Sequence, residues 1–443
     1  MSERTNDKLL VIDVVGMTPE LLQHMPRVRQ VGESGFTAEL GTVLPAVTCS
    51  VQSTFLTGAL PRDHGIVGNG WYFRDLGEVL LWRQHNALVQ GEKLWDVVRR
   101  RRPGAKVATV TPRPVYHADG KKSPDCWTWP PELHDTLTSE LGPFPLFTYW
   151  GPTASIKSSA WIVAAARKVM PDHDLTLVYV PHLDYDLQRF GPDSPQAVQA
   201  ARDVDATLAP LLDDAEAAGV RVVLLSEYGI TRATRPVDVN RLLRREGLLH
   251  VHHNATGELL DPWTSRAFAV ADHQIAHVYI KDPADLDRVR DLLQGLDGVA
   301  EVLDRAGQAA YGLDHERAGE LVVVAEPDAW FTYYYWLDDA NAPDFARGVE
   351  IHKKPGYDPA ELFLDPEDRW VKLRAATTLA RKTAGLRYAM SVVPLAPAPV
   401  SGSHGRLPDD PEHGPVLVCS DASAKRDRFE ATEVRDLLAS LLP

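Results

Sequence analysis

Four short runs along the chain are almost continuously apolar: Leu9 to Val15, Lys106 to Val110, Leu175 to Val180 and Arg221 to Leu225. A strand with one wet face alternates apolar and polar residues, so runs without alternation predict strands buried on both faces. Between them, Gly91 to Arg101, Ser155 to Val169 and Pro195 to Ala218 carry apolar residues at three- and four-residue spacing, the stripe of helices that lie on a sheet. Strand and helix alternate, which predicts an α/β fold, a mostly parallel central sheet flanked by helices. Ligands of such sheets sit beyond the carboxyl ends of the strands. That rule selects Asp13, the segment Pro181 to Gly191, and Ser226-Glu227-Tyr228-Gly229.

From Val270 to Val324 the pattern changes to a strand-like HVYI (His277 to Ile280), a helix from Pro283 to Gln294, a turn at Gly298 and a strand-like LVVVA (Leu321 to Ala325). This is the grammar of a small α+β lobe, closed by the Pro- and Asp-containing segment Asp338 to Asp344. The expected organisation is a core in two parts, 1–265 and 338–443, interrupted by an inserted lobe over 266–337. No internal repeat is visible, and by composition the Pro/Gly/Ser stretch Pro394 to Gly405 reads as a connector.

Composition adds bounds. With 443 residues, 44% hydrophobic and 24% charged, the chain is ordinary globular matter, neither disordered nor collagen-like. A net charge of −14 opposes non-specific attraction to nucleic acid or to an anionic membrane, so neither is an expected partner. Cys49, Cys126 and Cys419 are odd in number and far apart, which implies no disulfide framework and makes a reducing cytoplasm the simplest home. The start of the chain lacks a basic region followed by a cleavage site, and no stretch approaches ~18 uninterrupted apolar residues.

Candidate chemistry starts with Asp13, in VIDVVG at the end of the first buried run. An Asp there serves equally well as a turn former or helix cap. The segment Leu44 to Asn69, LPAVTCSVQSTFLTGALPRDHGIVGN, sets Thr48 after a Pro-containing turn at the start of a helix. Free N–H groups at a helix start suit a nucleophile facing an anionic phosphoryl group, although an ordinary Thr N-cap reads the same locally.

The order Asp13, PAVTCSVQSTFLTG, LPRDHGIVGN, an Asp-rich strand end, SEYG and GSHG resembles the alkaline phosphatase superfamily, in its nucleotide pyrophosphatase/phosphodiesterase branch. The resemblance spans about residues 8 to 230 and returns over 346 to 420. It implies an alkaline phosphatase-like fold and two divalent metal ions, zinc first with manganese or magnesium as alternatives, clamping displacement at phosphorus. It further implies that Thr48 is the nucleophile, transiently phosphorylated and beside one metal, with Asp13 a ligand of that ion. Asn69 matches an asparagine that hydrogen-bonds a phosphoryl oxygen. Asp184 and His404 match ligands of the other metal, and Glu227 stands where the family has an aspartate ligand.

Two positions depart from the family: Gln188 replaces a histidine four residues after Asp184, and Tyr228 replaces the histidine of an Asp-His pair. Gln and Tyr are poor substitutes for imidazole, so the expectation is a rebuilt ligand set, or decay of metal binding. His352 is the preferred source of the missing nitrogen. His182 is another candidate if Pro181 to Gly191 is extended, and Asp186 could also serve because it lies four residues from His182; His273 is a third candidate, expected instead to be structural or at the rim of the lobe.

The implied activity is hydrolysis of a phosphodiester or nucleotide pyrophosphate, with a phosphomonoesterase or phosphonate hydrolase and a silent binding protein as alternatives. The partner is a small phosphate ester or nucleotide. Relatives that hydrolyse nucleotides place an aromatic residue after the nucleophile, where this chain has Cys49. The run Trp330 to Trp336 is a candidate aromatic wall, or else a buried strand. Lys353, Lys354 and Arg406 are candidate phosphate contacts.

Overall fold

The computed structural model describes residues 7–82, 85–116, 122–386, 390–397 and 399–442, with the backbone alone for 111–116, 122–129 and 382. The side chain of Cys126 and the connector residue Ala398 therefore lie outside the described residues. In chain order the strands of the two larger sheets are β1 (Leu9–Val14), β2 (Phe36–Leu40), β3 (Val107–Tyr116), β4 (Lys122–Trp129), β5 (Leu175–Val180), β6 (Arg221–Leu225), β7 (Ala267–Asp272), β8 (Ile275–Ile280), β9 (Val299–Leu303), β10 (Leu321–Ala325), β11 (Val416–Cys419) and β12 (Arg428–Phe429). The helices that matter below are α1 (Thr48–Thr57), α2 (Leu94–Arg101), α3 (Ile156–Val169), α4 (His182–Phe190), α5 (Pro195–Ala218), α6 (Leu286–Gln294) and α7 (Val371–Thr383).

The main sheet has the order β12-β2-β11-β6-β1-β5-β3-β4. β1 runs parallel to both β5 and β6, and β3 is parallel to β5; β11 and β4 are antiparallel to their neighbours. Continuous apolar sequence is explained by two-sided burial. Leu10, Ile12 and Val14 pack with α3 and α5 residues such as Ile162, Val204 and Leu208, whereas Leu9 and Val11 pack on the other face with Val51, Phe55 and Val97. The expected α/β fold with a mostly parallel sheet flanked by helices is the fold observed.

Two elements depart from the sequence expectation. β3 continues past Val110 to Tyr116, although Pro112 and Pro114 lack the N–H a ladder uses. Pairing with β5 ends at Val110, and beyond it the strand pairs with β4 alone, which is the one-sided setting that tolerates proline. The second departure is Pro181 to Gly191, which is a helix and not an extended segment. Leu183 and Leu187 are buried one turn apart, and Gly191 at φ +84° ends the helix. Consequently His182 and Asp184, two residues apart, do not share a face; His182 instead lies 3.6 Å from Asp186.

A second sheet, β7-β8-β10-β9, is antiparallel throughout, with α6 between β8 and β9 in the chain. β7 and β8 are joined by His273 and Gln274 alone, and His273 is held at φ +62°. Trp330 to Trp336 is buried at every position, with Ala329–Phe331 paired parallel to Arg235–Val237. It is core, not a wall of the site. Among the described residues no helix is long and apolar enough to cross a membrane.

Candidate functional site

Thr48 opens α1 directly after extended Val47, and Gly58 at φ +65° closes the helix. Val51 and Phe55 bury against the main sheet, which carries the N-terminal end of α1 to the carboxyl ends of β1 and β6. There Thr48 Oγ1 lies 3.0 Å from the Tyr228 hydroxyl, and it also hydrogen-bonds the Glu227 carboxyl. Gln52, one turn into α1, donates its Nε2 to Asp13 Oδ2 at 3.2 Å and to Glu227 Oε1 at 2.6 Å. Asp13 Oδ1 and Glu227 Oε2 are buried oxygens outside those amide hydrogen bonds, and the two carboxyls lie within hydrogen-bonding reach of one another. Burial raises the proton affinity of both carboxyls, and for Glu227 the neighbouring Asp13 charge raises it further.

A second group forms on α4. Gln188 Nε2 donates to Asp184 Oδ2 at 2.9 Å, the i,i+4 geometry of a helix, and Gln188 Oε1 accepts from the Tyr357 hydroxyl at 2.8 Å. Burial lifts Asp184 to about 7 despite the Gln188 hydrogen bond. His404 Nε2 stands 3.8 Å from Asp184 Oδ1, and its Nδ1 is 2.8 Å from the Ala46 carbonyl. Because a carbonyl only accepts, Nδ1 carries the proton and Nε2 presents its lone pair toward Asp184. Tyr228 stacks flat on this imidazole, ring centroids 3.6 Å apart and planes within 7°. Burial keeps His404 neutral, pushing its proton affinity well below the usual histidine range.

The β7–β8 turn supplies residues that the sequence reading passed over or misplaced. Asp272 Oδ2 accepts from the Asn69 backbone N–H at 2.8 Å, while Oδ1 accepts from Asn69 Nδ2 at 3.1 Å and lies 2.8 Å from His273 Nδ1. Asn69 in turn accepts from the Cys49 N–H through Oδ1 at 2.9 Å, so one buried chain links the turn to the start of α1. The His273 ring is packed between Tyr357 (3.6 Å) and His404 (3.8 Å). It is therefore at the centre of the site and not at the rim of the lobe. Burial keeps it neutral. The missed signals were the Asp272-His273 pair itself and a non-glycine residue forced to positive φ by a two-residue turn.

Other expected contributors are placed differently. His352 lines the same cavity and hydrogen-bonds the Leu81 carbonyl at 3.2 Å. Lys354 is buried between Asp358 (2.7 Å) and Glu361 (2.8 Å), so its charge is spent inside the fold. Lys353 faces Glu350 and Arg406 is paired with Asp409. Asp186 is held by Arg189, and His182 by Asp186. Burial pushes the Cys49 thiol up, so it stays protonated.

Asp13, Thr48, Asp184, His273, His352 and His404 open into one cavity of about 1440 Å³. Among the described residues no three His, Cys, Asp or Glu side chains converge as a preformed ion cage. The oxygens of Asp13, Glu227 and Thr48 form one donor set, and Asp184 with His404 forms another, with His273 stacked beside it.

Comparison with known proteins places these residues in context. The family described as type I phosphodiesterase / nucleotide pyrophosphatase matches residues 9–358. A curated relative, an uncharacterized pyrophosphatase/phosphodiesterase of Schizosaccharomyces pombe, is 24% identical over 232 residues, which are 47% of this chain and 40% of that protein. The match thus spans less than half of that relative's length. Among solved structures, phosphonoacetate hydrolase of Sinorhizobium meliloti with phosphonoformate gives a TM-score of 0.64 at 15% identity, covering 99% of this chain and 96% of that one. Murine ectonucleotide pyrophosphatase / phosphodiesterase 5, an inactive form with AMP, gives 0.60 at 15% identity, covering 98% and 95%. At these identities the two structures speak for the fold.

Proposed function

Since the chain belongs to the type I phosphodiesterase / nucleotide pyrophosphatase family, we propose that it hydrolyses phosphate esters, diesters first, with Thr48 as nucleophile and with divalent cations. The observation that carries this reading is the pair of buried carboxyls, Asp13 and Glu227, set against one another beside the Thr48 hydroxyl at the start of a helix. Buried carboxylates set together are costly unless a cation meets them. Asp13, Glu227 and Thr48 fit a hard, oxygen-preferring dication, and this set favours magnesium or manganese over zinc. Asp184 and His404 would hold a second ion, with His273, stacked on His404, as a further nitrogen. His273 takes the place that the sequence gave to His352, and Asp272 fixes its ring, as carboxylates behind metal-binding histidines do. Bound cations supply Lewis-acid stabilisation of charge on the phosphoryl oxygens.

The protein's own groups do the rest. Glu227, hydrogen-bonded to Thr48, is placed to receive its proton as Oγ1 attacks phosphorus, and the Tyr228 hydroxyl, 3.0 Å from Oγ1, orients it. The Thr48–phosphorus bond forms, the alcohol leaves, and water then cleaves the threonine ester, so one water is consumed per turnover. We assign stabilisation of the non-bridging oxygens to Asn69 and to the start of α1. The three scattered cysteines support a reducing, cytoplasmic home.

A second reading, a metal-free phosphate-ester binder, is favoured by one observation: Gln52 and Gln188 already lay neutral amide donors on Asp13, Glu227 and Asp184. Release of p-nitrophenolate from bis(p-nitrophenyl) phosphate and from p-nitrophenyl phosphate, before and after chelation, separates the readings. The hydrolase reading expects turnover, greater on the diester, lost on chelation and restored by manganese or magnesium. Absence of turnover under every metal added, with phosphate esters still bound, overturns it in favour of the binder.

A further inference from the structure

A helix on a globular surface needs one apolar stripe, the one that it buries. Helix α7 has two. Val371 is buried in a cluster with Ala360, Val392 and Val393, and Ala375, one turn on, packs against the same cluster. On the opposite side Leu373, Ala376 and Ala380 follow at three- and four-residue spacing, and all three are exposed. Trp370, whose carbonyl accepts the first helical bond from the Arg374 N–H, is 70% exposed, and Leu373 is 57% exposed. Apolar surface gathered in this way marks an interaction face, whereas single exposed residues do not.

The charge around this face is opposite to that of the chain. From Arg369 to Pro408 there are seven lysines and arginines and no carboxylate, in a protein whose net charge is −14. Helical pitch sets Lys372 on one flank of the outer stripe and Arg374 and Arg381 on the other. Asp368, just before the helix, pairs with Arg374 at 2.5 Å; among the described residues no carboxylate pairs with Arg369, Lys372 or Arg381. A second copy of the chain does not answer this chemistry, because a two-fold contact would set the patch against itself, cation on cation. An anionic membrane surface does. Lysine and arginine flanking an apolar stripe headed by tryptophan are what lets a helix lie in the headgroup region, apolar side chains inward and cations on lipid phosphates. The acidic remainder of the protein opposes this only weakly, since charges further apart than about 8–10 Å are screened at physiological salt.

We propose that α7 docks the protein peripherally on a membrane surface rich in anionic lipid, with Trp370 and Leu373 at the headgroup–acyl boundary and Arg369, Lys372 and Arg381 on the lipid phosphates. For this one segment, the repulsion that net charge predicts for the whole chain is reversed. Docking of this kind requires neither a metal nor turnover, so it stands apart from the hydrolase reading.

The test is flotation of the full chain with vesicles of phosphatidylcholine alone and of phosphatidylcholine with one-third phosphatidylglycerol. Binding to the anionic vesicles should be about tenfold tighter or more, and should weaken as salt is raised. One lysine or arginine near an anionic surface contributes about fivefold, so Lys372→Glu combined with Arg381→Glu should weaken binding about twentyfold or more. Trp370→Ser combined with Leu373→Ser, which keeps every charge, should weaken it about tenfold or more. All four side chains are exposed, so both double variants should unfold at the wild-type temperature. Equal binding to the two kinds of vesicle, binding to neither, or full binding by either double variant overturns the proposal. Capture of poly-L-glutamate through Lys372 and Arg381 without vesicle binding would assign the face to an acidic protein partner instead. A dimer in sedimentation that Trp370→Ser dissolves, again without vesicle binding, would assign it to a second copy.

Discussion

Asp272→Asn probes the link between the hairpin turn and the nucleophile with almost no change of shape. In the wild-type chain the carboxylate receives three contacts: the Asn69 N–H at 2.8 Å, Asn69 Nδ2 at 3.1 Å and His273 Nδ1 at 2.8 Å. An amide has one oxygen. If it stays on the Asn69 N–H, its NH₂ confronts two donors, and if it flips, it confronts the third. His273 can accept by changing tautomer, but then its Nε2 bears the proton and has no lone pair left for a cation. Each buried donor left without an acceptor costs about 1–3 kcal/mol, so the variant should lose about 3 kcal/mol of stability. An unfolding entropy of about 2.1 cal/mol/K per residue gives about 0.9 kcal/mol/K for this chain, hence a Tm lower by about 3 °C. Activity should fall by roughly 10–100-fold, as for other groups that orient a metal-binding histidine. Differential scanning fluorimetry and kcat on bis(p-nitrophenyl) phosphate read both. A Tm within half a degree and kcat within twofold of wild type would refute the linkage.

Three further outcomes follow from the same geometry. His273→Ala should weaken manganese binding, measured by calorimetry, at least tenfold, whereas His352→Ala should change it less than threefold; the reverse order would restore His352 as the ligand. Lys354→Met strands Asp358 and Glu361 without their cation, and loss of one partner of a buried ion pair costs about 3–5 kcal/mol, a Tm drop of about 3–5 °C; an unchanged Tm contradicts it. Burial holds His64 neutral, its pKa lowered to about 3, and His277 likewise to about 4. The unfolded chain binds these protons first, near pH 6.5, so this stability is complete above pH 6.5 and is lost as pH falls toward the folded values. Between pH 6.5 and 5 each histidine should remove about 2 kcal/mol, while the raised carboxyls of Asp13 and Asp184 shift stability the other way; the loss is therefore read as the urea-stability difference between wild type and His277→Gln at the two values, and a difference that does not change with pH would exclude the mechanism.

The fold was legible because burial on both faces of β1, β5 and β6 leaves an unmistakable run of apolar residues. Strand ends as well as motif order point to Asp13 and Glu227, and motif order alone points to Thr48 and His404. Pro181 to Gly191 was not: the segment begins with proline, and only its Leu183–Leu187 pair signals a helix. Reading it as extended put His182 beside Asp184, whereas helical pitch pairs Asp184 with Gln188. Asp272 and His273 were hidden for a different reason. Their place depends on a hairpin tip of the second sheet reaching the ends of the first, a juxtaposition 204 residues apart for Asn69 and His273 that no local pattern encodes. Gln52 was overlooked because a glutamine one turn into a helix is ordinary sequence, and its meaning appears only with Asp13 and Glu227 on either side.

The central claim is that the Thr48 oxygen attacks phosphorus. Acid quenching during turnover of bis(p-nitrophenyl) phosphate, followed by mass spectrometry of the peptide carrying Thr48, tests it most directly. The account predicts a p-nitrophenyl phosphoryl adduct on Thr48, and neither adduct nor turnover in Thr48→Ala. Undiminished turnover by Thr48→Ala, or an adduct located on another residue, would contradict it.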